Sequence, residues 1–100
     1  MAFAFLKAWF ARKPRQRADL AFLLYTRAGC PLCDEAWDLL TRYQSQYGFT
    51  LETKDVDESA ALVCDYGNCV PVVAVNGKVR FRGHVNEVLL QRILQGEPGA

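Results

Sequence analysis

The sequence has no apolar run near the ~20 residues that a bilayer-spanning helix needs, so an integral membrane protein is not expected. It has little net charge. Twelve basic and eleven acidic side chains in 100 residues leave +1, which is no electrostatic footprint for nucleic acid. Cysteine is scarce: four residues are too few for a disulfide-stapled secreted scaffold of this length. There is no internal repeat and no interdomain linker. What is abundant is core material, 51% hydrophobic against 23% charged, the balance of one small folded domain. Cysteine used so sparingly in such a domain reads as chemistry rather than scaffolding.

The near-neutral total hides an asymmetry. Residues 1–17 carry Lys7, Arg12, Lys13, Arg15 and Arg17 with no acid, +5, so the remaining seven bases and eleven acids give −4. Within that stretch Met1–Ala11 is apolar and aromatic, with Phe3, Phe5, Leu6, Trp9 and Phe10, and the basic residues follow around Pro14. A secretory signal has charge before its apolar stretch, so the order here is reversed and a cytoplasmic location is expected. Two readings stand for residues 1–17. One is an interfacial anchor, with aromatics at the headgroups and Arg/Lys on anionic phosphates of a membrane surface. The other is an extra helix packed on the domain, or a loose tail, since Phe3, Leu6 and Phe10 recur at helical spacing.

The division expected is a 1–18 apolar/basic extension, a 19–96 domain and a 97–100 tail. Leu20–Tyr25 is continuously apolar and of strand length, which suits a central strand covered on both faces. Pro31 at a favoured first position opens a helix whose apolar face is Leu32, Ala36, Leu39, Leu40, Tyr43 and Tyr47, and Gly48 stops it. Residues 49–56 alternate as a second strand. Asp57 or Ser59 can cap a short helix to about Tyr66, ended by Gly67-Asn68. Residues 70–75 form a third strand, Asn76-Gly77 is a type I′ hairpin signal, and residues 78–82 return antiparallel. Asn86 caps a last amphipathic helix carrying Val88, Leu89, Ile93 and Leu94. The order β-α-β-α-β-β-α is an α/β fold, with parallel strands joined by right-handed helical crossovers.

Cys30-Pro31-Leu32-Cys33 lies between the apolar strand and the start of the first helix. Two intervening residues put both sulfurs within one helical turn, close enough for a small disulfide ring. Cys30 faces the unpaired N–H groups and positive dipole end of the helix, which favour thiolate, the attacking species. Arg27 can add positive charge, while Asp34 and Glu35 pull the other way. Cys33, inside the first turn, is the more covered and suits the resolving role. Val70-Pro71 is a site where a cis peptide can occur; a cis bond there would turn the Val70 backbone outward to meet an extended substrate.

TRAGCPLC after an apolar strand, DVDE after the second, CVPVVAVNG, and RFRG before the last helix together resemble the glutaredoxin branch of the thioredoxin superfamily. The resemblance spans residues 19–96. It implies a thioredoxin-like fold with a four-stranded mixed sheet in the order β2-β1-β3-β4, strands numbered along the chain. It implies Cys30 as nucleophile, Cys33 as resolver and Pro71 in cis beside them. Arg27 matches the basic residue that meets a glutathione carboxylate, and Val70 the backbone clamp. Where the family has Thr-Val-Pro this chain has Cys69-Val70-Pro71. Where it has Gly-Gly and an acidic pair for the γ-glutamyl end, this chain has Gly83-His84-Val85-Asn86: the acidic end is missing, and Asn86 with the helix N-terminus could partly replace it.

The expected activity is thiol–disulfide exchange on a disulfide-containing protein or a glutathionylated substrate. No cofactor is built in, and glutathione or a reductase donates electrons. A redox sensor or binding module is the alternative. A metal or iron–sulfur carrier is a third reading, because Cys64, Cys69 and His84 could complete a zinc set with the C-x-x-C pair. Otherwise Cys64 and Cys69 are small buried hydrophobes or a second disulfide, His84 is a solvent-facing loop residue, and Trp37 and Tyr66 are packing residues that could also line a groove.

Overall fold

The structure, a computed structural model, describes residues 16–96. The anchor and packed-helix readings of the apolar stretch, and the 97–100 tail, lie outside the described residues. The elements are β1 (Ala21–Thr26), α1 (Pro31–Tyr47), β2 (Thr50–Asp55), a 3₁₀ turn (Val56–Glu58), α2 (Ala60–Tyr66), β3 (Val72–Val75), β4 (Lys78–Arg82) and α3 (Glu87–Leu94). They form one four-stranded sheet in the order β2-β1-β3-β4. β1 runs parallel to β2 and antiparallel to β3, and β3 runs antiparallel to β4.

β1 takes a central position, hydrogen-bonded to neighbours along both edges. Phe22 and Leu24 are fully buried, whereas Leu23 and Tyr25 on the other face are only partly covered. Covering is therefore complete on one face and partial on the other. The closed face packs Phe22 on Phe49, ring centroids 4.2 Å apart, with Leu40, Leu90 and Leu94 around them. Asn76 and Gly77 both have positive φ (50° and 83°), which the tight two-residue turn requires.

Two helix faces differ from the expectation. On α1 the buried residues are Cys33, Ala36 and Leu40, and Leu32 is 50% exposed. On α3 they are Leu90, Ile93 and Leu94, and Val88 is 58% exposed. Both exposed residues sit in the first turn of a helix. Asp57 does not cap α2; the Ser59 side chain accepts from the Leu62 N–H, and Asp55 caps the 3₁₀ turn. β3 begins at Val72 rather than residue 70, since Pro71 has no N–H to give a ladder.

Arg17 also departs from its expected place in a basic extension. It is buried, and its Nη1 donates to the carbonyl oxygens of Ile93 (3.0 Å) and Leu94 (2.9 Å), while Nε and Nη2 reach the Asp19 carboxylate. It thus caps the end of α3, where orphan carbonyls and the negative dipole end favour a cation. Arg17 belongs to the domain and is not free to meet a membrane surface.

Candidate active site

β1 feeds a four-residue loop, Arg27–Cys30, that enters α1. Cys30 is the N-cap of α1, with extended backbone (φ −112°, ψ 99°), and Pro31 follows at the first helical position. The Cys30 Sγ accepts the Cys33 N–H at 3.1 Å. Its carbonyl takes the Cys33 and Asp34 N–H groups at 3.1 and 3.2 Å. Sulfur here stands where the side-chain oxygen of a capping Ser or Asp usually stands. Cys30 and Cys33 are joined in a disulfide with Cα atoms 5.2 Å apart, within the ordinary range for such a bridge. Cys33 is buried and Cys30 half-buried. Cys30 is thus the more accessible of the two.

The Val70–Pro71 peptide is cis. Tyr25 pairs with Val72 across β1 and β3, so Pro71 stands at the sheet end from which β1 leaves for the disulfide loop. Pro71 is buried and Val70 half-buried. The Gly83 N–H donates to the Pro71 carbonyl at 2.7 Å, tying the exit of β4 to the same corner. Its φ of +75° is one that glycine adopts without strain.

Arg27 does not point its charge at a free site. Nε and Nη2 bind both oxygens of Asp57 (3.1 and 3.0 Å), and Nη1 donates to the Gly67 carbonyl at 3.1 Å. Asn86 is committed too: Oδ1 accepts the Leu89 N–H at 3.0 Å as the cap of α3. It nevertheless lines, with His84, Val85 and Leu32, a groove of about 430 Å³ beside α1. A second groove of about 310 Å³ brings together Arg27, Gly29, Cys33, Trp37 and Asp55.

Sequence reasoning missed Asp57 as the partner of Arg27; of the two readings of Trp37, the groove-lining one fits its place in the second groove. Trp37 is 41% exposed and stands one helical turn beyond Cys33. Cys64 is exposed and Cys69 half-buried, both as free thiols, so neither the buried reading of Cys64 nor a second disulfide holds. Arg82 reaches the Cys69 sulfur at 3.8 Å and lies over the Tyr66 ring, which stacks on Tyr25 at 4.6 Å. His84 is exposed. Among the described residues no group of three or more His, Cys, Asp or Glu could hold a metal ion, and no helix is long and apolar enough to cross a membrane.

A sheet of this order, with a C-x-x-C disulfide at a helix N-terminus, defines the thioredoxin fold with a thiol redox centre. A mutant thioredoxin from Halobacterium salinarum superposes with a TM-score of 0.60 at 21% identity, over 82% of this chain and 77% of that one. The X-ray structure of protein XcR50 from X. campestris gives 0.64 at 28% identity, over 78% of this chain and all of that one. Residues 21–95 match the family model "Glutaredoxin-like domain (DUF836)", and the chain belongs to that family. The Mycobacterium tuberculosis relative "Uncharacterized protein Rv0508" is 35% identical over 69 residues, 64% of this chain and 71% of the relative.

Proposed function

We propose that the protein is a thiol–disulfide oxidoreductase acting in a reducing, cytoplasmic setting. The observation that carries this reading is the accessible Cys30 sulfur capping α1, bonded to a buried partner one turn on. In the reduced protein the Cys33 N–H and the helix dipole favour Cys30 as thiolate. That thiolate attacks one sulfur of a substrate disulfide. The substrate S–S bond breaks, its second sulfur departs with the electron pair and takes a proton from water, and a mixed disulfide with Cys30 remains. Cys33 loses its proton and attacks the Cys30 Sγ, releasing the first substrate sulfur as a thiolate. The substrate gains two electrons and the Cys30–Cys33 pair loses two.

Two glutathione thiols, becoming glutathione disulfide, or a dithiol reductase restore the reduced pair. The chemistry is carried by side chains, with no resident cofactor. The substrate is a disulfide-containing protein or a glutathionylated one. Val70, ahead of the cis peptide, offers its backbone to an extended substrate segment, with Gly83 and Asn86 across the corner. For a glutathione adduct, the carboxylate on Arg27 has to take the place of Asp57.

Cys33→Ser should accumulate the mixed disulfide, seen as a mass adduct on Cys30, and Cys30→Ser should lose disulfide reduction. Full activity in Cys30→Ser would overturn the assignment. Comparing a glutathionylated peptide with a protein disulfide as substrates then separates the two classes.

A further inference from the structure

Three large apolar side chains are exposed among the described residues: Leu32, Trp37 and Val88. Two of them, Leu32 and Val88, line one groove together with Ala36, Leu39 and Val85. Apolar surface gathered in one place rather than scattered marks an interaction site. The same helix exposes Asp34, Glu35 and Asp38 in its first two turns and has no base before Arg42. Glu35 and Glu87 line the groove itself, against Arg42 and His84. The site therefore calls for a ligand that is apolar and basic at once.

One segment of this chain has that composition. Residues 1–15 hold Phe3, Phe5, Leu6, Trp9 and Phe10 with Lys7, Arg12, Lys13 and Arg15, and no acid. The chain enters the domain at the far end of the helix that bears the groove: Gln16 Nε2 donates to the Gln46 carbonyl (3.0 Å), and the Arg17 N–H to that of Tyr47 (2.6 Å). From Gln46 back to Leu32 is 46 − 32 = 14 residues of α1, about 21 Å of helix. Fifteen residues span about 22 Å as a helix and about 50 Å extended, so the tether reaches in either form. Being covalently joined, the segment meets the groove at an effective concentration on the order of millimolar, without the cost of bringing two molecules together.

We propose that residues 1–15 seat in the groove between α1 and α3, their aromatic side chains on Leu32 and Val88 and their bases beside the carboxylates of α1.

The test uses the full chain. Trp9 and Trp37 are its two tryptophans, so Trp37→Phe leaves Trp9 as the reporter. In dilute solution Trp9 is expected to be several-fold less accessible to acrylamide than in urea. Adding Val88→Asp should restore most of that access, with the urea unfolding transition retained. Leu6→Asp, outside the described domain, should do the same if Val88→Asp unfolds the protein. Four results would overturn the proposal: Trp9 as open as in urea, shielding indifferent to both variants, shielding lost on dilution (a second copy), or shielding only with vesicles of anionic lipid.

Discussion

Asp57 grips Arg27 at two points, Nε to Oδ2 at 3.1 Å and Nη2 to Oδ1 at 3.0 Å, and a third guanidinium nitrogen is held by the Gly67 carbonyl. The pair joins the loop that precedes the disulfide to the 3₁₀ turn that follows β2. A guanidinium fork fits one carboxylate in this geometry, so any substrate carboxylate must compete with Asp57.

Asp57→Asn should therefore lower the KM for a glutathionylated peptide several-fold, because the amide no longer neutralises Arg27. Both partners are more than a third exposed (side chains 37% and 44%), so the stability lost should stay below about 1 kcal/mol. Steady-state reduction of the peptide, with a small neutral disulfide as control, reads the effect. An unchanged or higher KM would remove Arg27 from substrate binding.

The sheet was legible in the sequence because its signals are local and redundant. Leu20–Tyr25 can hardly lie at a surface, Asn76-Gly77 fixes a hairpin, and Pro31 and Gly48 bound the long helix. The disulfide pair was legible for the same reason: two cysteines three apart at a helix start have one short-range geometry. Leu32 and Val88 were misjudged because a 3.6-residue period finds an apolar stripe but not which of its residues the rest of the domain covers. Asp57 was missed because its bond with Arg27 closes across 30 residues, and no local pattern chooses among the acids of that turn. Arg17 was misplaced because its charge matched its basic neighbours, while the α3 carbonyls it caps lie 76 and 77 residues away.

Arg17→Met should destabilise the domain by about 2–3 kcal/mol, the scale of hydrogen bonds to a charged group lost from a buried site. Two carbonyls at the end of α3 and the Asp19 carboxylate lose their shared donor. Arg17→Lys should recover only part, since an ammonium lacks the planar fork that serves both sides at once. Urea unfolding of the three proteins measures this. A loss within about 0.5 kcal/mol, ordinary for a surface position, would mean that the charge belongs with the extension after all.

At alkaline pH the tyrosines of the domain should set its stability. Burial, and then the negative charge that Tyr66 would carry beside it, raise the Tyr25 phenol above its ordinary pKa. Tyr43 is raised as well, first through its hydrogen bond to Glu87. The folded chain thus keeps these protons to higher pH than the unfolded chain does. Their contribution is fully present below about pH 10, where both states are protonated. Above that the unfolded state ionises first, and stability falls as pH rises through the folded pKa values. Tyr25→Phe preserves a ring against Tyr66, so at neutral pH it should stay within about 0.5 kcal/mol of the parent. Above pH ~10 its stability should decline less steeply than the parent's. Parallel curves from urea titrations at stepped pH would show that Tyr25 ionises equally easily in both states.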